Sequence, residues 1–323
     1  MNSDIEKILL VGAGKMAREY AKILKALKRP FIVVGRNNPS ALEFEKEIGL
    51  PVNRDRLTKQ MLKKIGKVSE AFVVTNIEEL GKVTRLLLEN NVRDILVEKP
   101  GGLDAQDIRK TALLVRKKKA NVYLGYNRRF YASTEKAAEI IKKDGGVSSF
   151  TFDFTERADV VEKLPLLSKV KQEWFLANSS HVADLAFFLC GKPRIVNARI
   201  SGKLPWHSKA AVFVGSGQTS KGALFSYHAN WSSSGRWSIE IMTPKRKLIL
   251  RPLEKLQVQE QGTFDVTEIN IADELDKKFK PGLYKEVRAF LDKNTKSLAT
   301  FDEQVKSLNL YETISKGIKT PRL

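Results

Sequence analysis

Apolar residues in the first 125 positions fall into short unbroken runs, at 8–11, 31–34, 71–75, 95–97 and 122–125, with helical stretches between them. Runs that are short, rich in β-branched residues and unalternating predict parallel strands buried on both faces. After the first run, Met16, Tyr20, Ile23, Leu24 and Leu27 recur on one face of a helix. After the second, Asn38-Pro39 reads as a helix start and Gly49 as its stop. Residues 78–90 supply the crossover helix after the third run. The pattern predicts a doubly wound parallel sheet, a Rossmann-type domain over residues 1–125.

Beyond Phe130 the period changes. A helix is expected at 133–143, and then Phe150, Phe152 and Phe154 alternate with Thr151, Asp153 and Thr155. Related runs follow at 195–200, 210–214, 223–231, 237–242, 247–250 and 256–259, and two helices, at 282–293 and 301–317, close the chain. Period two predicts a largely antiparallel sheet with one buried face. Residues 126–323 are therefore expected to form an α/β domain for substrate binding and oligomerisation, whose terminal helices can pack back on the first domain. Residues 158–171, charged and containing Pro165, read as a loop.

Composition adds little to this frame except in charge. The chain has 323 residues, 42% hydrophobic and 29% charged, as in ordinary globular proteins. Its single cysteine, Cys190, sits at the apolar end of a helical run and reads as a buried structural thiol. The first residues are acidic where a signal peptide is basic, and no apolar run reaches membrane-spanning length, so a cytoplasmic protein without membrane partners is expected. The net charge of +20 raises nucleic acid as a partner, but the basic triplets at 117–119 and 245–247 lie far apart. Most other lysines fall between apolar helical positions, as solvated faces do. No specific nucleic-acid binding and no metal site are expected, and attraction of phosphate-bearing small molecules is the chemical use left for the charge.

The first turn carries the first specific chemistry. Gly12-Ala13-Gly14-Lys15-Met16-Ala17 is a Gly-x-Gly-x-x-Ala turn between strand and helix. Gly12 permits the tight turn, Gly14 lets the backbone approach a pyrophosphate, and Ala17 lets helix and strand pack closely. Lys15 and Met16 open the helix whose free N–H groups face the anion. An NAD site places a carboxylate about 20 residues further on, on the ribose 2′-hydroxyl. Arg36 and Asn37 stand there instead, and the next acid is Glu43, so NADP(H) is expected over NAD(H). Thr75, Asn76 and Glu98, at the ends of later strands, complete the candidate cofactor set.

Lys99 follows the run at 95–97, at the carboxyl end of a parallel strand, where ligands of open α/β sheets bind. A lysine there can hold a substrate hydroxyl, and partial burial can bring it toward acid–base use. Arg128 and Arg129 follow the last parallel run and can offer a guanidinium to carboxylate or phosphate. Trp174 and Asn178 join them as candidate substrate contacts; His207, His228, Trp231 and Trp237 could line the site or merely pack.

Together, Gly12-x-Gly14-x-x-Ala17, Glu98-Lys99-Pro100 and the string from Gly125 to Phe130 resemble the glucose-fructose oxidoreductase / inositol dehydrogenase (Gfo/Idh/MocA) family. The likeness extends to Tyr284, Val287, Phe290, Leu291 and Asp302-Glu303-Gln304 near the end. It implies a nicotinamide-dependent oxidoreductase acting on a sugar or cyclitol hydroxyl, with Lys99 in the site and the following proline often cis. It implies a proton-transfer histidine in a His-x-x-Asp pattern, matched here by His181 and Asp184, and imidazole titrates near neutrality. It also implies a homodimer or homotetramer joined through the second domain's sheet. Many family members carry an aspartate four residues before that histidine, and here the position is Ala177. Either Lys99 and His181 suffice, or the protein is a non-catalytic NADP-binding regulator of the same fold. The string from Asn178 to Leu185 resembles members that act on nucleotide-activated sugars of bacterial surface polysaccharides.

Overall fold

The structure is a computed structural model that describes residues 7–36 and 39–318. Asn37, a cofactor candidate, and Asn38 lie outside the described residues. The chain divides into two units: Met1–Tyr126 with Lys278–Val305, and Asn127–Lys277 with Lys306–Leu323.

The first unit is built on β1 (Lys7–Val11), β2 (Phe31–Val34), β3 (Val52–Asn53), β4 (Val68–Val73), β5 (Asp94–Glu98) and β6 (Asn121–Gly125). Their order, β6-β5-β4-β1-β2-β3, is parallel throughout, with the short strand Ala299–Thr300 added antiparallel beside β6. Ile8, Leu9 and Leu10 of β1 and Ile95, Leu96 and Val97 of β5 are almost wholly buried, as strands covered on both faces must be. Helix Lys15–Ala26 turns Ala17, Tyr20, Ala21, Ile23 and Leu24 inward. Helix Pro39–Ile48 begins on its proline and stops at Gly49, whose φ of +74° suits glycine. The returning segment is anchored by Phe290 of helix Leu283–Leu291, edge-on to Phe72 at 5.3 Å and near Tyr123 at 6.2 Å.

The second unit holds β7 (Ser149–Asp153), β8 (Pro193–Ser201), β9 (Val212–Thr219), β10 (Leu224–Asn230), β11 (Ser238–Met242), β12 (Arg246–Leu250), β13 (Gln257–Glu260) and β14 (Val266–Glu268). They form one sheet in the order β14-β13-β12-β11-β7-β10-β9-β8, antiparallel except where β7 meets β10. The alternating phenylalanines set the register: Phe150 lies opposite Phe225 on one side and Ile241 on the other, and Phe152 opposite Tyr227 and Ile239. Phe187, from helix Ser180–Cys190, meets the rings of Phe150, Phe152 and Phe225 edge-on at 5.1–5.8 Å. On the opposite face Leu224, Ser226 and His228 are exposed.

The segment expected as a loop at 158–171 is instead largely helical, with short helices at Ala158–Lys163 and Ser168–Gln172. Each buries one apolar side chain, Val161 and Val170, and Pro165 stands in the break between them. Cys190 is buried, and desolvation pushes its thiol well above the ordinary range. Among the described residues no helix is long and apolar enough to cross a membrane.

Candidate functional sites in the two units

In the first unit the ends of β1, β2 and β4 open a cleft of ≈ 620 Å³. Gly12, Gly14, Lys15, Met16, Arg36, Thr75 and Asn76, seven of the nine cofactor candidates, all line it. The two glycines do different work. Gly12 has φ +127°, and a Cβ there would stand 2.2 Å from the carbonyl oxygen of Val74, so only glycine lets β1 turn beside β4. Gly14 is the N-cap of helix Lys15–Ala26, with no side-chain cap and no acid in the first turn. A Cβ on Gly14 would meet nothing within 4 Å. That combination of open space over the backbone and uncapped N–H groups fits a dinucleotide pyrophosphate.

Two substitutions separate these roles. Gly12→Ala is expected to destabilise the chain by roughly 1–3 kcal/mol through overpacking. Gly14→Ala is expected to leave the melting temperature unchanged and weaken dinucleotide binding about tenfold, some 1.4 kcal/mol. Thermal melts beside fluorescence titration read both; a Gly14→Ala protein with undiminished affinity would place the pyrophosphate elsewhere.

The cleft also contains groups the sequence pattern did not bring forward. Asp55 and Arg56, just after β3, line it together with Ser40, Glu79 and Lys82. Arg56 stands 3.8 Å from Glu79, which also accepts from Lys82 at 3.2 Å. The absence of a carboxylate near Arg36 along the chain therefore does not extend to three dimensions, because β3 pairs with β2 and carries Asp55 in.

Glu98 is not in this cleft. Its carboxylate accepts from the Tyr20 hydroxyl at 3.0 Å, at the end of β5. Desolvation raises the Glu98 carboxyl, opposed by the charge of Lys99, the Tyr20 hydrogen bond and Lys280. Tyr20 in turn is pushed far above the phenol range, by burial first and then by Glu98 and Glu286. Glu98 thus holds helix Lys15–Ala26 to β5 and puts a negative charge beside Lys99. The Lys99–Pro100 peptide is cis, and the Pro100 carbonyl accepts from the Gln304 side chain at 3.1 Å. Gln304 itself accepts from the Tyr126 hydroxyl at 3.1 Å, so the backbone next to Lys99 is tied down from two directions.

In the second unit a cleft of ≈ 630 Å³ is lined by Arg128, Glu156, Trp174, Asn178, Arg236, Trp237 and Glu254, among others. Three of the four substrate candidates are there, and the fourth is not. Arg129 is buried, and its Nε and Nη2 donate to both oxygens of Asp184 at 2.8 and 2.6 Å. The expectation that Arg129 reaches substrate is corrected by that pairing, which also takes up the aspartate of the His-x-x-Asp pattern. Arg128 instead lies over the Trp237 ring at 4.8 Å and near Tyr131 at 5.9 Å. Burial pushes the Tyr131 hydroxyl up to about 12, with Arg128 opposing the rise.

His181 is buried near the start of helix Ser180–Cys190, its ring 6.4 Å from that of Trp237. A π-helical turn, Phe175–Ser179, precedes it and contains Ala177 and Asn178. Glu156, which the sequence did not single out, clamps this turn. It is buried and accepts from Asn178 Nδ2 at 3.0 and 3.1 Å and from Ser179 Oγ at 2.7 Å. Of the other candidates, His207 and Trp231 are packing residues, their rings 5.0 Å apart and Trp231 stacked on Trp206 at 5.8 Å. Burial lowers the His207 pKa. His228 lies on the exposed face of β10, 3.3 Å from Asp153.

A parallel sheet turning through Gly12 and Gly14 into an uncapped helix, over an open cleft, defines a dinucleotide-binding unit. Residues 6–126 match the Gfo/Idh/MocA model, described as an oxidoreductase family with an NAD-binding Rossmann fold. The first unit thus matches this family's model over its NAD-binding Rossmann fold. No curated protein sequence matches the chain. Among solved structures, an oxidoreductase from Agrobacterium radiobacter in complex with NAD+, L-tartaric acid and magnesium is 15% identical, with a TM-score of 0.77 over 95% of this chain and 94% of that one. Levoglucosan dehydrogenase in complex with NADH and levoglucosan is 16% identical, with a TM-score of 0.76 over 96% of each chain. The UDP-N-acetylglucosamine 3-dehydrogenase GnnA from Acidithiobacillus ferrooxidans is 15% identical, with a TM-score of 0.74 over 96% of each. At such identities the likeness establishes a shared fold across both units.

Proposed function

We propose that the protein is an NADP(H)-dependent oxidoreductase that moves a hydride to or from a hydroxyl-bearing ring carbon of a sugar or cyclitol, nucleotide-activated sugars included. The observation that carries this reading is the cleft over Gly12 and Gly14, open at the pyrophosphate position and bordered by Arg36. The sugar dehydrogenases among the structural relatives support the substrate class. A bound nicotinamide supplies the hydride acceptor or donor. The chain has to bind the dinucleotide, hold the reacting hydroxyl and move its proton. In the proposal, backbone N–H groups at Gly14, Lys15 and Met16 hold the pyrophosphate, and Thr75 and Asn76 border the same path. Lys99 holds the reacting oxygen, and His181 takes its proton on oxidation and returns it on reduction.

NADP(H) is the proposed cofactor because Arg36 and Arg56 both line the cleft and can face a 2′-phosphate. Arg36→Ala is expected to reduce the preference for NADPH over NADH by about tenfold, the loss of one charge-assisted contact. Fluorescence titration of both cofactors measures it; equal affinities in the unaltered protein would assign the arginines another role and leave Asp55 as the group facing the ribose.

The protein is proposed to act in the cytoplasm as a homodimer or homotetramer. The motivation is the open face of the second sheet, where Leu224, Val214 and Ile195 are exposed beside Ser226 and His228. Light scattering at micromolar concentration is expected to give a multiple of the chain mass, and a monomeric mass would refute it.

A further inference from the structure

Resting on the reading above for the reaction, we infer that the second unit's cleft takes a substrate that carries an anionic group, a carboxylate or a phosphate, and that Arg128 is the residue that holds it. The inference starts from the different fates of two adjacent arginines. Both belong to the single 3-10 turn Asn127–Phe130, in which successive side chains point about 120° apart. Arg129 goes inward and finds Asp184 in a bidentate pair. Arg128 lines the cleft, half-buried, and rests on the Trp237 ring.

A half-buried guanidinium normally has a counter-charge, because taking it partly out of water is costly. Among the described residues Arg128 has no carboxylate in ion-pair contact. The two carboxylates of the lining, Glu156 and Glu254, are not in ion-pair contact with Arg128; Glu156 accepts hydrogen bonds from Asn178 and Ser179. Arg128 lies over the Trp237 ring at 4.8 Å, and a guanidinium placed there has the planar fork of N–H donors that meets a planar or tetrahedral oxyanion in bidentate fashion. Two further arginines border the cleft. Arg157 is exposed and already paired with Asp159 at 3.1 Å, whereas Arg236 is exposed at the rim and adds positive potential there. The indoles of Trp174 and Trp237 give the same cleft two apolar walls for a sugar ring, and its ≈ 630 Å³ suits a ligand of that size.

Calorimetric titration of the full chain, with and without NADPH, uses a matched series: glucose, glucuronate, glucose 6-phosphate and UDP-glucose. At least one charged member is expected to bind about 10- to 100-fold tighter than glucose, as a hydrogen-bonded charge pair provides. The carboxylate and phosphate arms tell which oxyanion the site takes. Arg128→Gln should abolish the difference and Arg157→Gln should leave it intact. Should Arg128→Gln fail to fold, Arg128→Lys answers the same question: it keeps the charge but loses the planar fork, and is expected to retain only part of the preference. Equal binding of neutral and charged sugars, or discrimination that survives at position 128, overturns the inference. NADPH affinity and hydride transfer are read separately. Transfer to neutral sugars without anion preference defeats this inference alone, while anion binding without NADPH binding defeats the oxidoreductase reading and leaves this one standing.

Discussion

Lys99→Met and His181→Ala are each expected to lower turnover by a factor on the order of 10² or more, with NADPH affinity nearly unchanged, the contribution general acid–base groups typically make. Neither residue lines the cleft over Gly12 and Gly14, so cofactor binding has no reason to change. Lys99 sits where β5 ends, on backbone held by Gln304 and beside the carboxylate of Glu98. His181 sits one residue into its helix, directly after a turn clamped by Glu156. The turn supplies no carboxylate from position 177, which is a buried alanine, so in the proposed mechanism the His181 imidazole is oriented by other groups. A non-catalytic regulator of the same fold would bind NADPH, reduce or oxidise nothing, and lose nothing on either substitution. NADPH absorbance followed across sugars, cyclitols and nucleotide-sugars separates the two, and turnover that survives both substitutions would remove Lys99 and His181 from the site.

What was legible in the sequence was what local rules determine. The Gly-x-Gly turn declared itself because both glycines answer to backbone geometry within one strand and one helix, and the alternating phenylalanines of β7 declared a half-buried sheet. Contacts made across long separations were not legible. Glu156 follows the phenylalanine run directly and reads as one more surface charge, until the sheet brings it to Asn178 and Ser179. Asp55 is hidden in the same way, since a two-residue strand, Val52–Asn53, is too short to leave a periodic signal. The charged segment at 158–171 reads as a loop because each of its helices is five or six residues long and buries a single valine, too little to show a 3.6-residue period. Arg128 and Arg129 are the sharpest case: nothing in two identical neighbours says which one turns inward, and only the position of Asp184 decides it.

That decision has a large energetic consequence in the second unit. Arg129 and Asp184 are 9% and 7% exposed, and removal of either breaks a buried bidentate pair. Arg129→Met and Asp184→Ala are each expected to destabilise by about 3–5 kcal/mol, the cost of breaking a buried pair. The double substitution Arg129→Met with Asp184→Leu removes both charges, and its cost should fall well below the sum of the two single changes. Because the chain divides into two compact units, the second unit is followed by a probe of its own. All four tryptophans, Trp174, Trp206, Trp231 and Trp237, lie in the second unit, so intrinsic fluorescence in denaturant reports the unfolding of that unit. Single substitutions that cost less than about 1 kcal/mol, in the range of an exposed ion pair, would mean that water reaches the pair, and Arg129 would return to the candidates for binding an anion.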